Sequence, residues 1–158
     1  MLYLLFQIGN ERYALEAKNA VEVIPFLNLR RIPQAPRGVA GIFNYRGRPV
    51  PAVDLCELTL GRPARERLST RIVLVRYADA GGREQLVGLI AEHATEMMQR
   101  DEQDFVDASI RSSHAPYLGP VIMDEQGVIQ LVQAQHLLAE NLRDLLFATV
   151  QEPNHDTH

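Results

Sequence analysis

The sequence has 158 residues, of which 46% are hydrophobic, and a formal net charge of −4 at pH 7. This length fits one domain, or two very small barrels that share a core, and the apolar content is enough to fill such a core. The slightly acidic balance argues against a sequence-independent nucleic-acid partner, because such binding depends on an excess of Lys and Arg. No apolar run approaches the roughly 18 residues that cross a bilayer, so direct membrane insertion is not expected.

The cellular compartment is indicated by the cysteine content and by the opening residues. The single cysteine, Cys56, cannot form an internal disulfide. The opening stretch MLYLLFQIGNERY has neither the basic start nor the small-residue cleavage site of a secretory signal. We therefore expect a cytoplasmic protein.

The first half of the chain reads as short strands separated by turns. In LYLLFQI the large apolar residues alternate with a second set, and this period of two predicts a strand with one well-buried face. GNER predicts a turn, and YALEA a returning strand. AVEVIPF predicts a third strand at a sheet edge, because Pro25 cannot donate a ladder hydrogen bond. Pro33 and Pro36 predict an extended connection that leads to Gly38.

The next two strands form the centre of this half. VAGIFNY and RPVPAVDL flank Arg46 and Gly47 as the arms of a hairpin do, with Gly47 supplying the positive φ of a tight turn. The stretch GRPARERLS, residues 61–69, follows as a charged connection with a proline. We interpret it as a mobile boundary between two subdomains.

The second half of the chain again consists of short strand-like segments, and near its end the spacing of the apolar residues changes from that of a strand to that of a helix. TRIVLVRYA, EQLVGLIAE, ATEMMQR, YLGPVIMD and VIQLVQ predict about five short strands. Five leucines between residues 135 and 147 are spaced as one stripe of a helix, which predicts a C-terminal helix there. Residues 149–158 are expected to form a disordered tail, so that residues 1–148 make up a single domain. The chain as a whole is predicted to be mostly β, a barrel architecture in two halves.

The sequence contains no pattern typical of catalysis or of metal binding. The glycine-rich phosphate motifs, the serine hydrolase elbow and the zinc protease helix are absent. Cys56 at the end of an apolar strand is typical of a small core residue, and the five histidines have no metal-ligand spacing. Neither a catalytic residue nor a metal or cofactor is therefore predicted, and an enzyme that uses Cys56 or a histidine remains the outside alternative. The acidic segment 92–107 is interpreted as a solvated loop face.

Arg46 is the strongest candidate for a functional residue. At a tight turn an arginine is often only a solvated charge, but here Asn44, Tyr45 and Arg48 flank it. Together they form an amphipathic protruding patch with the composition favoured at protein interfaces. The residues alone do not say which partner such a patch would meet.

The stretch PRGVAGIFNYRGRPVPAVDL, residues 36–55, closely resembles the signature of CheW-like domains. The resemblance extends along the chain: YLLFQIGNERYALEAKNAVEVI resembles the family's opening strands, and LVGLIAEHATEMM a segment in which Glu92 stands where the family often has Asp. YLGPVIMDEQGVIQLVQAQHLL resembles its closing hairpin and helix. The implied fold is two packed, five-stranded SH3-like β-barrel subdomains with a groove between them and a C-terminal helix.

The same resemblance implies a function and a set of contact residues. It implies a non-catalytic adaptor that couples the cytoplasmic tip of a chemoreceptor to the regulatory domain of a CheA-type histidine kinase. Such a protein is cytoplasmic and is recruited to membrane-associated receptor arrays through its partners, among which other CheW-like copies are candidates. A freestanding kinase-regulatory docking module of the same fold is the alternative, and an auxiliary chemosensory pathway is one possible setting. By motif position the partner-binding residues carry over to Glu22, Val23, Gly41, Asn44, Arg46 and Gly47.

Overall fold

The structure is a computed structural model that describes residues 1–78, 81–107 and 118–133. The predicted helix at 135–147 and the predicted tail at 149–158 lie outside the described residues. The described chain is mostly β, as the sequence predicts. Its strands are β1 Leu2–Ile8, β2 Glu11–Glu16, β3 Ala20–Pro25, β4 Val39–Tyr45, β5 Arg48–Asp54, β6 Arg71–Ala78, β7 Glu84–Gln99, β8 Leu118–Asp124 and β9 Gly127–Val132. One α-helix, α1, spans Leu55–Leu60, and two short 3-10 helices span Ala17–Asn19 and Glu102–Asp104.

The strands form two five-stranded sheets that share β7. Residues 84–91 of β7 pair with β6, and within that stretch residues 88–90 also pair with β5 in parallel. Residues 92–99 pair with β1. Sheet I therefore consists of β1, β2, β8, β9 and the second half of β7, and sheet II of β3 to β6 and the first half of β7. This arrangement agrees with two five-stranded barrels packed together.

The continuity of β7 differs from the sequence prediction, which divided it into EQLVGLIAE and ATEMMQR. The β1–β7 register shifts between the pairs Leu5–Glu96 and Gln7–Glu92. His93, within this shift, has a φ of +51°. An extra length of chain of this kind is a β-bulge, which bends a strand and so lets β7 pass from one sheet into the other. The strand also corrects the interpretation of segment 92–107, because its first eight residues are strand rather than loop.

The hydrophobic core is divided between the faces of the sheets. On β1 the predicted alternation holds: Leu4, Phe6 and Ile8 enter the largest buried cluster, and Tyr3 enters a separate cluster within sheet I. Leu2 is the exception, since it lies at the start of the strand and is 42% exposed. A third cluster lies in sheet II, between β4, β5, β6 and β7. This third cluster packs against one face of the hairpin formed by β4 and β5.

The proline-rich connection crosses over this hairpin. Strand β3, which contains Pro25, lies at the edge of the sheet, as predicted. The connection then pairs with β4 through two hydrogen bonds of 2.8 Å between the backbones of Arg30 and Ile42. Gly41 makes this close approach possible, because a Cβ there would lie 2.5 Å from the Arg30 carbonyl oxygen. A glycine is required where two backbones pass so near each other.

Helix α1 follows β5 directly and was not predicted. Asp54 caps it, since its side chain accepts hydrogen bonds from the backbone N–H groups of Cys56 and Glu57. Gly61, with a φ of +78°, ends the helix in the left-handed conformation that favours glycine. Cys56 consequently lies in the first turn of a helix rather than at the end of a strand, and it is fully buried.

Two buried carboxylates fasten the 61–69 loop to the body of the protein. The Ala64 N–H donates to Asp54 Oδ2 at 2.8 Å, and the Arg65 N–H donates to Glu92 Oε2 at 2.7 Å. Asp54 is 4% exposed and Glu92 5% exposed. The loop therefore has fixed points along its first half, and its role as a subdomain boundary stays a prediction.

Candidate partner-binding surface

The β4–β5 turn is built as a tight hairpin with two left-handed residues. Arg46 and Gly47 have φ values of +50° and +83°. The Gly47 N–H donates to Asn44 Oδ1 at 2.7 Å, which closes the turn. Two central residues with positive φ are the mark of the hairpin turn that matches the twist of the strands it joins. The sequence predicted this conformation for Gly47 but not for Arg46.

Glu22 joins the edge strand β3 to this turn. Its Oε1 atom accepts a hydrogen bond of 2.6 Å from the Tyr45 hydroxyl and one of 3.2 Å from Arg46 Nη2. The Arg46 guanidinium carbon lies 5.2 Å from the centre of the Tyr45 ring, within the range of a cation–π contact. Because the hydroxyl donates to a carboxylate, the pKa of Tyr45 is raised. We call Glu22, Asn44, Tyr45, Arg46 and Gly47 the hairpin surface.

The ion pair at the hairpin surface orients Arg46 more than it stabilises the fold. The Arg46 side chain is 76% exposed and that of Glu22 39% exposed. Ion pairs this accessible contribute about 0–1 kcal/mol, because water screens them and two long side chains must be ordered. The guanidinium therefore keeps most of its donors facing solvent, with its direction set by Glu22 and Tyr45.

Four of the six sequence-predicted residues, namely Glu22, Asn44, Arg46 and Gly47, meet at the hairpin surface. Val23 and Gly41 are placed differently. Val23 follows Glu22 on the same strand, so its side chain lies on the opposite face of β3, where it packs against the largest core cluster. Gly41 is buried beneath the connection that carries Arg30. Both support the hairpin surface through packing, and direct partner contact by either residue stays a prediction.

The candidate nucleophile Cys56 lies in surroundings that disfavour the thiolate. Burial raises the pKa of its thiol to about 11, and the nearby carboxylates of Glu92 and Asp54 act in the same direction. A thiol held neutral in this way is a poor nucleophile near neutral pH. His93, the one histidine within the described ranges, is exposed at the β7 bulge. Within those same ranges, no group of three or more potential ligands could hold a metal ion.

The two carboxylates near Cys56 have pKa values shifted in opposite directions. Burial raises the pKa of Asp54, although three backbone N–H groups donate to it. Burial alone would also raise the pKa of Glu92, but hydrogen bonds from the Arg65 amide and the Arg62 guanidinium outweigh it and lower that pKa. The ionised form of Glu92 is therefore stabilised by the loop residues that donate to it. The sequence identified Glu92 as a departure from the family pattern but did not predict that its side chain is buried.

A cleft of about 510 Å³ opens beside the proline-rich connection. Its walls come from the connection, from β4, from α1 and from the 61–69 loop, and they include Phe26, Leu29, Arg31, Glu57 and Glu66. The cleft thus combines apolar side chains with charged side chains of both signs. None of the helices within the described residues is long and apolar enough to cross a bilayer. The fold and the hairpin surface together define a small β-barrel domain with an exposed hairpin turn.

The chain belongs to the CheW-like domain family, whose model matches residues 2–142. It is 32% identical over 100 residues to the chemotaxis protein CheW of Helicobacter pylori, an alignment that covers 63% of this chain and 57% of that protein. It is 38% identical over 50 residues to CheW of Treponema pallidum, covering 32% of this chain and 29% of that one. The aligned regions thus span less than two thirds of either relative.

A solved structure shares the fold. The crystal structure of the scaffolding protein TtCheW from Thermoanaerobacter tengcongensis superposes with a TM-score of 0.75 and covers 87% of each chain. The sequence identity is 21%, so this likeness concerns the fold alone. It agrees with the expectation of a CheW-like architecture that the signature in residues 36–55 raised.

Proposed function

We propose that this chain is a non-catalytic adaptor that couples the cytoplasmic tip of a chemoreceptor to the regulatory domain of a CheA-type histidine kinase. Membership of the CheW-like family supports this proposal, as do the curated relatives, which are chemotaxis proteins by name. The adaptor acts from the cytoplasm and reaches membrane-associated receptor arrays through its partners. The array of an auxiliary pathway is one setting in which it would work.

The observation that carries the proposal is that the exposed Arg46 guanidinium contacts both Glu22 and the Tyr45 ring at the hairpin surface. A protruding arginine that is already held by Glu22 and Tyr45 loses little side-chain freedom when a partner binds. Arginine is also among the residues that most often dominate binding energy at interfaces. A preorganised cation of this kind suits recognition of a partner better than it suits stabilisation of the fold.

The alternative is a freestanding kinase-regulatory docking module of the same fold. It would use the hairpin surface for the kinase alone and would not need the receptor. The two functions differ in one measurable respect, because only the adaptor binds both partners. An enzyme that uses Cys56 is disfavoured by the burial of that thiol and its raised pKa.

The proposal is tested with the variant Arg46→Glu. Reversing this charge should weaken binding to a receptor tip and to a CheA regulatory domain by about 30-fold or more, the effect of losing an interface hot spot of roughly 2 kcal/mol. The free energy of unfolding should change by less than about 1 kcal/mol, because the side chain is 76% exposed. Titration calorimetry against both partners and thermal unfolding measure the two effects.

Lys18→Glu is the matched control. Lys18 is also a surface cation, 66% exposed, with one carboxylate partner, Glu16 Oε2, at 3.3 Å, but it precedes β3 and lies outside the hairpin surface. It should bind both partners like the wild type. Wild-type binding by Arg46→Glu would show that the site is wrong, and binding of the kinase domain without the receptor tip would favour the docking module.

A further inference from the structure

One stretch of the chain is strongly basic, although the chain as a whole is acidic. Residues 23–53 contain five arginines and neither Asp nor Glu, whereas the full chain has a formal net charge of −4. All five are exposed, namely Arg30, Arg31, Arg37, Arg46 and Arg48. Among the described residues, Arg46 alone of the five forms an ion pair, with Glu22. The positive charge of this stretch is therefore largely available to a partner.

The proline-rich connection carries Arg30 to the outside of the β4–β5 hairpin. The backbones of Arg30 and Ile42 exchange two hydrogen bonds of 2.8 Å as an antiparallel pair. Residues that lie opposite each other in such a pair have their side chains on the same face. Phe43 packs into the core of sheet II, and successive residues of a strand face opposite ways, so Ile42 faces outward. Arg30 therefore lies on the outer face of the hairpin.

The outer face of the hairpin continues into the hairpin surface. Asn44, two residues after Ile42, lies on the same face and pairs with Pro49, and both Asn44 and Pro49 are exposed. Arg46 follows two residues later, in the turn. We call Arg30, Ile42, Asn44 and Pro49 the outer hairpin face. It shares Asn44 with the hairpin surface, so a partner that covers one of the two surfaces also reaches the other.

Arg31, the next residue along the chain, faces the other way. Leu29 and Arg31 both line the cleft beside the connection, together with Glu57 and Glu66 of α1 and the 61–69 loop. Neighbouring residues of an extended chain face opposite sides, which places Arg30 away from that cleft. The two arginines are thus alike in type and exposure but lie on different surfaces.

We propose that the outer hairpin face binds an acidic surface of the partner protein that meets the hairpin surface, with Arg30 donating to a partner carboxylate. The inference rests on the proposed function for the identity of that partner, and it adds the chemistry of the contact. The planar guanidinium of arginine donates two parallel hydrogen bonds to a carboxylate, which gives such a contact direction as well as strength. Half-buried Ile42 and exposed Pro49 add an apolar surface beside this charge.

The occupant that these observations favour is a folded protein rather than a polyanion. Among the described residues, the carboxylate that pairs with an arginine of this stretch is that of Glu22, and its Oε1 atom is already shared by Tyr45 and Arg46. The rest of the chain has an excess of Asp and Glu, so it would repel a nucleic acid or an anionic membrane that extends beyond the outer hairpin face. A protein can place a carboxylate against Arg30 and an apolar side chain against Ile42 without such repulsion.

Arg30→Glu tests the contact, and Arg31→Glu is the matched control. Titration calorimetry of the full chain against the receptor tip and against the CheA regulatory domain compares the variants at low and high salt. Arg30→Glu should weaken binding to at least one partner by about tenfold or more at low salt, and by less at high salt, because salt screens exposed charges. Arg30→Gln should have a smaller effect, since it removes the charge without reversing it. Arg31→Glu should bind like the wild type, because Arg31 faces the cleft.

A short peptide of glutamate residues tests the outer hairpin face without either natural partner. In two-dimensional NMR spectra of the full chain, the peptide should shift the amide signals of Arg30, Ile42 and Asn44 more than that of Arg31. Arg30→Glu should remove these shifts. A short DNA duplex and vesicles of phosphatidylglycerol and phosphatidylcholine are the competing probes. Stronger Arg30-dependent binding of either probe than of the glutamate peptide would overturn the choice of an acidic protein.

The outcomes separate this inference from the proposed function. If Arg30→Glu binds both partners like the wild type while Arg46→Glu does not, the inference is wrong and the proposed function stands. Equal weakening by Arg30→Glu and Arg31→Glu would also overturn the inference, because the effect would not be confined to the outer hairpin face. If the wild-type chain binds neither partner, the proposed function fails, and the glutamate peptide still decides whether this face binds carboxylates. The substituted residues are exposed, and circular dichroism melts confirm that each variant folds.

Discussion

Replacing Glu92 by Gln tests whether one buried carboxylate holds the 61–69 loop. The Glu92 side chain is 7% exposed, and its Oε2 atom accepts hydrogen bonds from the Arg65 N–H at 2.7 Å and from Arg62 Nη1 at 3.4 Å. Glutamine keeps the shape and one acceptor oxygen but loses the charge. Hydrogen bonds to a charged group contribute about 1.5–3 kcal/mol, so we expect the free energy of unfolding to fall by about 2 kcal/mol at pH 7.

The stability that Glu92→Gln loses relative to the wild type should depend on pH, in a direction set by the pKa of Glu92. Hydrogen bonds from the loop lower that pKa below its usual value of 4.5, against the opposing effect of burial. A carboxylate whose pKa is lowered on folding contributes stability that is present above the unfolded value and is lost as the pH falls through the folded value. The difference between wild type and Glu92→Gln should therefore be full at pH 7 and shrink below pH 4.5.

Thermal unfolding between pH 3 and pH 7 measures this difference, with about 2–4 °C of melting temperature for each kcal/mol in a chain of this size. Glu96→Gln is the control, because Glu96 lies on the same strand and is exposed. A Glu92→Gln chain as stable as the wild type at pH 7 would refute the reasoning. So would a deficit that grows, rather than shrinks, as the pH falls.

Two other substitutions probe the core and the link between strands. Gly88→Ala should lower the free energy of unfolding by about 1–3 kcal/mol, because its Cβ would lie 2.7 Å from the buried Phe43 ring. An unchanged midpoint of denaturant unfolding would show that the core rearranges to accept the added methyl group. Asp124→Asn should destabilise the chain at pH 7, because the Arg12 guanidinium lowers the pKa of Asp124 to about 2. That stability is lost as the pH falls from 3.8 toward 2, so the difference in stability between wild type and Asp124→Asn should narrow over this range. The control variant Glu125→Gln, at an exposed side chain, should stay near wild type. A difference that stays constant with pH would contradict the assignment.

The strands could be predicted because their signals are local. Alternation along β1, the proline at the end of β3 and the glycine turn after β4 each act within a few residues. The length of β7 could not be predicted, since one strand that bends at His93 and two shorter strands have the same pattern of buried residues. Helix α1 is only six residues long, too short to show a helical period. Its signals were the caps, Asp54 before it and Gly61 after it.

The candidate site was predictable in its residues but not in its contacts. The signature around Arg46 directed attention to the turn, and the resemblance added Glu22 from a distant strand. The hydrogen bond from Tyr45 to Glu22 joins residues 23 positions apart, and no local pattern reports such a pair. Val23 and Gly41 lie in the same motifs as the exposed residues. Only the packing shows that one faces the core and the other lies beneath a crossing backbone.

The sharing of β7 has a consequence for how the chain matures as it is synthesised. Strands β1 and β2 leave the ribosome before β7 and β9, yet β1 pairs with residues 92–99 and β2 pairs in parallel with β9, through contacts such as Arg12 with Ile129. Sheet I therefore cannot close until nearly all of the described chain has been made. Strand pairings this distant in sequence form slowly, because the intervening chain loses conformational entropy before the paired contacts stabilise the fold. The hairpin of β1 and β2 therefore has strand edges that stay unpaired until β7 and β9 have been made. A chain that stops before β7 leaves both sheets without the strand they share.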